Sequence, residues 1–293
     1  MVYLVAMLKN RAFILSCLFA LLQVDGFIHD SSCKLNPSLL SRRRTALQVS
    51  ELHVQGYAQT KLPFILQDEH LQQENADGTI SLRKVEELSY TSDDCESLIP
   101  YEEGHLLHKT KGPIFSAEEC QRIVDEAEKV ASETKWTTNR HGNFPTTDLP
   151  LVELPETLKF LRLVLAERIY PLLRSQFGQY LPDPKRLRVA DGFVVKYDVA
   201  GGQTELKPHR DGSVVSFNIA LNPATDYDGG GTWFASLDDS VKIDQGEIVT
   251  HASGLLHGGH GITTGKRYIL VAFVILEGYD SWSMRFYNQV RNL

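Results

Sequence analysis

Cysteine is scarce in this chain, with four in 293 residues, and Cys17, Cys33, Cys95 and Cys120 never form a Cys-x-x-Cys pair. That spacing argues against a structural zinc site and against a dense disulfide framework. A single bridge from Cys95 to Cys120 is the one pairing left open. Positive charge is also in deficit: the formal net charge is −7 and the pI is near 5.8. Such a chain has no general attraction for phosphate backbones or anionic bilayers, so nucleic acid is not an expected partner. No repeat period and no low-complexity tract stands out. Two catalytic signatures are missing as well. Ser213 and Ser216 lie near His209 and Asp211 but in no Gly-x-Ser-x-Gly elbow, and no Lys-Ser or Lys-Thr follows Gly229-Gly230-Gly231. Acyl transfer and a phosphate-binding loop are therefore disfavoured, and the glycine run reads as a tight turn.

What the sequence does hold begins with an address. After Lys9 and Arg11, the stretch from Ala12 to Val24 carries no charge. As a helix it would reach about 20 Å, short of the roughly 30 Å hydrocarbon core. Residues 1–26 therefore fit a signal peptide cut after Gly26, with an uncleaved membrane anchor as the rival reading. Residues 27–60 are Ser-rich at first and carry Lys34 and Arg42-Arg43-Arg44. They read either as a basic linker behind a secretory signal or as the second half of a bipartite plastid presequence. The corresponding destinations are the secretory pathway, including the endoplasmic reticulum, or a plastid.

Residues 61–112 mix short apolar pieces with turn residues and acids, which predicts a loose β-containing lead-in. From residue 113 the pattern sharpens into one domain, 113–293. Ser116-Ala117-Glu118-Glu119 is a capping box ahead of Cys120, Ile123, Val124, Ala127, Val130 and Ala131 at helical spacing. Leu158, Leu161, Leu165, Ile169 and Leu172 predict a second amphipathic helix over 156–177, which Pro171 should kink or end. From Arg188 onward the texture is β: Val189 to Tyr197, Val214 to Leu221, Gly231 to Phe234, Gly246 to His251 and Lys266 to Leu276. Helices followed by antiparallel strands imply an α+β fold with a jelly-roll core, 188–277, braced by N-terminal helices.

Two pieces of that β region carry chemistry. In His209-Arg210-Asp211 an extended backbone would aim the imidazole and the carboxylate to one face and Arg210 to the other. Further on, His257 and His260 share a glycine-rich turn, and Lys266-Arg267-Tyr268 opens the returning apolar strand. Either histidine can complete a two-histidine, one-carboxylate set. Such a set leaves positions open on a metal, the arrangement that non-haem iron(II) oxygenases use; zinc could take the same ligands. Zinc would not explain Arg267, whose planar fork suits a carboxylate a short diacid's length from the metal. His251 reads as a strand-end or core histidine, and Asp238-Asp239 as a solvated turn.

With those residues in view, 190–274, and more loosely 113–177, resemble the catalytic domain of the prolyl 4-hydroxylase and lysyl hydroxylase superfamily. These are iron(II)- and 2-oxoglutarate-dependent dioxygenases with a double-stranded β-helix, a cupin-like jelly roll. The matching pieces are Phe193 to Tyr197, Lys207 to Asp211, Asn218 to Asn222, Asp228 to Phe234 and His257 to Tyr268. The resemblance implies that His209, Asp211 and His257 hold the metal, its spacing selecting His257 over His260. It implies that Arg267 takes the distal carboxylate of 2-oxoglutarate and that Tyr197, Thr232 and Asn218 line the cosubstrate pocket. An aromatic residue common three positions before the first ligand is Leu206 here. Arg267 and the Gly-Gly-Gly-Thr-Trp-Phe block tilt the likeness toward the lysyl side. Further implied are dioxygen as co-reactant, L-ascorbate as reductant, and succinate and carbon dioxide as coproducts. The implied substrate is a peptide or protein, hydroxylated on proline or lysine; a small molecule and a non-catalytic jelly-roll binding module are the alternatives.

Overall fold

Antiparallel pairing dominates the computed structural model, which describes residues 70–74, 80–84 and 92–293. The N-terminal segments read as an address, 1–26 and 27–60, lie outside the described residues, as do Cys17 and Cys33. Among the described residues no helix is long and apolar enough to cross a membrane.

A hairpin of β1 (His70–Glu74) and β2 (Ile80–Lys84) comes first. After it, β3 (Cys95–Ser97) and β6 (Leu107–Thr110) flank a small hairpin of β4 (Pro100–Tyr101) and β5 (Gly104–His105). Leu106 and Leu107 are fully buried there, so this segment supplies core as well as edge. The large sheet runs β3-β6-β14-β10-β16-β8-β7. Its remaining members are β7 (Asp148–Pro150), β8 (Leu187–Asp198), β10 (Val215–Ala220), β14 (Ile248–Ala252) and β16 (Ile262–Leu276). β11 (Tyr227–Gly229) pairs with the outer end of β16. The second sheet, β13-β12-β15-β9, is built from β9 (Leu206–His209), β12 (Thr232–Phe234), β13 (Asp239–Val241) and β15 (His257–Gly259). The expected jelly roll is present.

Strand parity divides the large sheet into two faces. On one face Val194, Val215, Phe217, Ile219, Leu270 and Ala272 join the helices in the main core. On the other, Phe193, Val195, Tyr197 and Ile269 form a separate cluster behind the second sheet. Burying each large apolar side chain contributes roughly 1.5–3 kcal/mol, which is why a sheet with one face full of Val, Ile, Leu and Phe must be covered by helices.

The first of those helices, α1 (Ala117–Thr134), opens with the capping box that the sequence predicts: Glu119 N donates to Ser116 Oγ at 3.2 Å and Ser116 N to Glu119 Oε2 at 2.8 Å. Its buried side chains are Cys120, Ile123, Ala127 and Ala131. The second helix, α2 (Pro155–Val164), has no side-chain cap of its own. Glu126 of α1 supplies one, accepting from Glu156 N at 2.9 Å and Thr157 N at 2.7 Å.

Pro171 does not end the helical run. A single π-helical turn, Leu165–Ile169, precedes it, with Tyr170 N donating back to Leu165 O, and α3 (Tyr170–Phe177) continues with the proline in its first turn. A proline is tolerated there because that N–H needs no partner. Arg168 within the turn reaches both carboxylate oxygens of Glu119, at 2.8 and 2.9 Å, which ties it to the start of α1.

Two further features depart from the sequence reading. Cys95 and Cys120 are both free thiols: each is buried against other partners, Cys95 beside Gln176 Nε2 at 3.3 Å and Cys120 beside Ala220 O at 3.7 Å. A C-terminal helix, α4 (Asp280–Val290), packs Phe286 and Val290 inward. It is absent from the sequence expectation because only three of its residues are buried and no side chain caps its start.

Candidate active site

His209 and His257 come from strands that pair directly. In the β9–β15 ladder His209 stands opposite His257, and their ring centroids are 4.5 Å apart. β9 ends at His209, so Asp211 lies just past the strand, held there by its N–H to Ser253 O at 3.1 Å. The result is a set of three side chains whose ligand atoms lie within 4.8 Å of one another. Asp211 Oδ1 is 3.3 Å from His209 Nε2, and Asp211 Oδ2 is 3.5 Å from His257 Nε2.

The ring orientations are fixed from behind. His209 Nδ1 lies 2.9 Å from Lys207 O, and His257 Nδ1 lies 3.0 Å from Leu255 O. A carbonyl only accepts, so each Nδ1 carries a proton, and each Nε2 faces Asp211, where a second proton or a metal cation can sit. Burial alone would raise the Asp211 carboxyl, but His257 and His209 outweigh it and hold the group well below the usual range, as a carboxylate. Asp211 Oδ1 is buried with no hydrogen-bond partner. Two imidazole lone pairs and a buried carboxylate oxygen without a donor are a donor set that suits a divalent cation.

The triad opens into a cavity of about 240 Å³. At its inner end Arg267 of β16 stands opposite Tyr197 of β8, its guanidinium carbon 5.3 Å from the ring centroid. Arg267 is only 2% exposed, its Nε has no hydrogen-bond partner, and among the described residues no acid forms an ion pair with it. A buried guanidinium without an anion is costly, so the cavity is built for an anionic guest. Asn218 donates weakly to Thr232 Oγ1, at 3.4 Å, while its Oδ1 is buried and unpaired. Tyr197, Asn218, Thr232 and Arg267 all line this one cavity with the triad.

Other expectations sort plainly. His260 sits on the outer side of its turn, bonded to Ser240 through Nδ1 and outside the triad. His251 is no strand cap: it is buried inside β14, its ring 4.3 Å from His257 and 5.1 Å from Phe234. Burial first, and then the neighbouring His257, push it down to about 3, so it is a neutral ring packed against His257. Gly229, Gly230 and Gly231 all have positive φ, the backbone of a tight turn. Arg210 does not point away, since the chain leaves the strand at His209 and Arg210 lines the cavity. Leu206 lines the cavity wall as the residue that stands where the resemblance would put an aromatic, and Phe144, from the loop after α1, lies over His209 with centroids 5.0 Å apart. The sequence reading missed His141, Phe144 and Tyr287 on the cavity wall; the loop and the terminal helix that carry them have no periodic pattern to betray them.

No family model matches the chain. Among curated proteins it is 31% identical over 175 residues to the multifunctional procollagen lysine hydroxylase and glycosyltransferase LH3 of Homo sapiens, covering 55% of this chain and 23% of that protein. It is 33% identical over 181 residues to procollagen-lysine,2-oxoglutarate 5-dioxygenase 1 of Gallus gallus, with 55% and 23% covered. It is 33% identical over 175 residues to the procollagen lysyl hydroxylase and glycosyltransferase of Acanthamoeba polyphaga mimivirus, with 55% and 19% covered. The chain thus spans less than a quarter of the length of these relatives. Among solved structures, a viral collagen prolyl hydroxylase from Paramecium bursaria Chlorella virus-1, in a 2OG complex, matches at 16% identity and a TM-score of 0.42, covering 59% of this chain and 97% of that one. A Pseudomonas putida prolyl-4-hydroxylase matches at 14% identity and a TM-score of 0.42, covering 59% and 94%.

Proposed function

We propose that this chain, a homologue of the procollagen lysine hydroxylases, is an iron(II)- and 2-oxoglutarate-dependent dioxygenase that hydroxylates a lysine or proline side chain in a peptide or protein. The observation that carries the reading is the pairing, in one cavity, of a two-histidine, one-carboxylate set with a buried guanidinium that lacks an anion. On this reading the catalytic domain is residues 113–293 around the jelly-roll core 188–277, with the strands of 92–112 along its edge. The N-terminal segments 1–26 and 27–60 support entry into the secretory pathway, a plastid being the rival destination.

In this assignment His209, Asp211 and His257 hold the metal. Iron(II) with 2-oxoglutarate and dioxygen supplies the oxidising power, with succinate and carbon dioxide as coproducts and ascorbate as the reductant that keeps the iron ferrous. The chain's own part is positioning and exclusion of water. Arg267 pairs with the distal carboxylate of the cosubstrate, and the Tyr197 ring, its centroid 5.3 Å from the guanidinium carbon, helps to hold the fork in place. Thr232 and Asn218 line the same cavity, and the Asn218 amide N–H and the Thr232 hydroxyl are the donors they offer to the cosubstrate's oxygens. Phe144, Phe193 and Phe273 give the rest of the cavity apolar walls against which an aliphatic side chain can lie.

The test is succinate release with iron(II), oxygen and peptides containing lysine or proline, for the unaltered protein, Asp211→Ala and Arg267→Ala. Loss in both variants is expected, through the metal in the first and through cosubstrate KM in the second. Metal affinity measured by calorimetry with cobalt(II) should fall on the order of 100-fold for Asp211→Ala and stay unchanged for Arg267→Ala. Full activity in Asp211→Ala, or turnover by the unaltered protein with zinc and without 2-oxoglutarate, would overturn the assignment.

A further inference from the structure

The loop that joins α1 to β7 is built as a closed unit. At its base Thr137 N donates to Asp148 O and Asp148 N to Thr137 O, each at 3.0 Å, and Thr137 Oγ1 adds a bond to Asp148 Oδ1 at 3.2 Å. Asp148 is fully buried and gathers the loop's own side chains: Arg140 Nε forms an ion pair with its Oδ1 at 2.7 Å, and the Thr146 hydroxyl donates to its Oδ2. Arg140 also reaches out of the loop. Its Nη2 stands 3.5 Å from Asp191 Oδ2 on β8, and its guanidinium carbon lies 5.0 Å from the Phe193 ring centroid. On the far side Gln203 Oε1 accepts from Thr147 N, while its Nε2 donates to Pro145 O at 3.0 Å. Loops whose ends are joined and whose side chains pack inside them are frequently functional rather than passive connections.

What the loop holds is one wall of the site. His141, Gly142, Asn143, Phe144 and Thr146 all line the cavity of the triad. Phe144 lies over His209, and the His141 ring centroid is 4.8 Å from that of Phe193. Phe193 pairs with Val271 in the β16–β8 ladder, four residues along from the pair of Tyr197 with Arg267. Four residues of strand are roughly 13 Å, further than a five-carbon diacid reaches. The loop therefore walls the end of the cavity away from the cosubstrate's anchor, and that end is left for the substrate.

Building on the function proposed above, we infer that Arg140 is a positioning residue: clamped between Asp148 and Asp191, it holds the loop 138–147 as the wall against which the peptide's side chain is placed. Arg140 does not itself line the cavity and acts through Phe144 and His141. A lysine is a poor replacement, because an ammonium offers no flat face to Phe193 and no fork to bridge two carboxylates.

Arg140→Met would leave Asp148 and Asp191 buried without their shared cation and risks unfolding the chain, so Arg140→Lys and Asp191→Ala are the variants to use; both leave the Gln203 fastening in place. Hydrogen exchange of the full chain, followed by mass spectrometry of the fragment that carries 138–147, reads the clamp with no ligand present. Exchange there should be about tenfold faster in both variants and close to unaltered in Asp191→Asn, which keeps an acceptor for Arg140. Anisotropy of labelled nonapeptides with one central lysine or proline reads the wall, under nitrogen with iron(II) and 2-oxoglutarate, where no turnover occurs. Phe144→Ala and Arg140→Lys should each weaken the better peptide roughly tenfold, and the double variant should bind no worse than Phe144→Ala alone, because the two residues act through one contact. The Kd for 2-oxoglutarate, measured with manganese(II), should stay within about twofold throughout, which a merely destabilised fold would not allow. Unaltered exchange in Arg140→Lys overturns the clamp. Faster exchange with peptide binding intact, losses that multiply in the double variant, or no binding of either peptide by the unaltered protein overturns its role in placing the substrate. Failure of the unaltered protein to release succinate, with exchange and binding as expected, would sink the dioxygenase reading alone.

Discussion

Arg267 and Tyr197 face each other across the β16–β8 ladder, and the guanidinium carbon sits 5.3 Å from the centre of the ring. The tyrosine is buried, and burial pushes its hydroxyl up, so the ring is a neutral platform under a permanent cation. Such a platform orients the guanidinium without discharging it, which leaves its charge for a guest.

Two opposite effects should follow from Arg267→Met. Removal of a buried guanidinium that lacks an anion relieves the ligand-free protein, so its melting temperature should rise by a few degrees. Removal of the anion's partner abolishes the stabilisation by ligand. At a 2-oxoglutarate concentration 100 times its Kd, with manganese(II), the unaltered protein should gain about 2.7 kcal/mol and the variant almost nothing. Differential scanning fluorimetry with and without the diacid reads both. A lower melting temperature for the ligand-free variant would mean that the cation–π contact outweighs the burial of charge.

Tyr197 can also be disturbed from the opposite sheet. A Cβ at Gly259 would lie 2.5 Å from the Tyr197 hydroxyl and 3.2 Å from the Leu206 Cβ. The hydroxyl is the far end of a side chain that can swing, so Gly259→Ala should fold and displace the ring from beneath Arg267. The expected outcome is a 2-oxoglutarate KM raised roughly tenfold. Cobalt(II) affinity should stay unaltered, because His257 keeps its Nδ1 contact with Leu255 O. Equal loss of metal and cosubstrate affinity would indicate that β15 itself had shifted.

That His209, Asp211, His257 and Arg267 share one cavity was legible because three sit at a strand end or just past one and the fourth lies within a long strand, where period-2 parity and ladder register convert sequence spacing into position. His209 and His257 are direct ladder partners, and Arg267 lies within the longest strand, Ile262–Leu276, which begins earlier than the sequence expectation of Lys266. Parity failed one residue later: Arg210 lies past the end of β9, where the alternation no longer binds it. The same limit hid the rest. Pro171 looked like a kink or a helix end because a period of 3.6 gives no hint that one π turn can absorb the missing donor. Phe144 and Tyr287 reach the cavity from an irregular loop and from a helix with only three buried residues, so their place depends on contacts such as the close approach of Gly254 to Tyr287 rather than on any local pattern.

Cys95 and Cys120 should behave as inert core atoms. Burial, with a smaller contribution from Glu119, pushes the Cys120 thiol up to about 12, and burial likewise raises Cys95. A thiolate is the reactive form, so neither should be alkylated by iodoacetamide at pH 8 while the chain is folded, and both should be once it is denatured. Peptide mass mapping reads this directly. A Cys95–Cys120 disulfide recovered from the native protein would contradict the free thiols.

His108 provides an acid-sensitive element far in sequence from His209, Asp211 and His257. It is buried, its Nδ1 lies 2.9 Å from Ser97 Oγ, its Nε2 lies 3.2 Å from His105 O, and its ring stands edge-on to Phe177 at 5.2 Å. Desolvation lowers it to about 4, against an ordinary value of 6.5. The unfolded chain therefore takes up this proton before the folded one does. Its contribution to stability is complete above the unfolded value and drains away as the pH falls from about 6.5 toward about 4, by roughly 1.4 kcal/mol per pH unit at its steepest. In His108→Gln, which keeps polar contacts but cannot titrate, urea unfolding between pH 7 and pH 4 should show a slope shallower by about that amount. Identical slopes for the two proteins would mean that the folded protein accommodates a charged imidazole between Ser97 and Phe177.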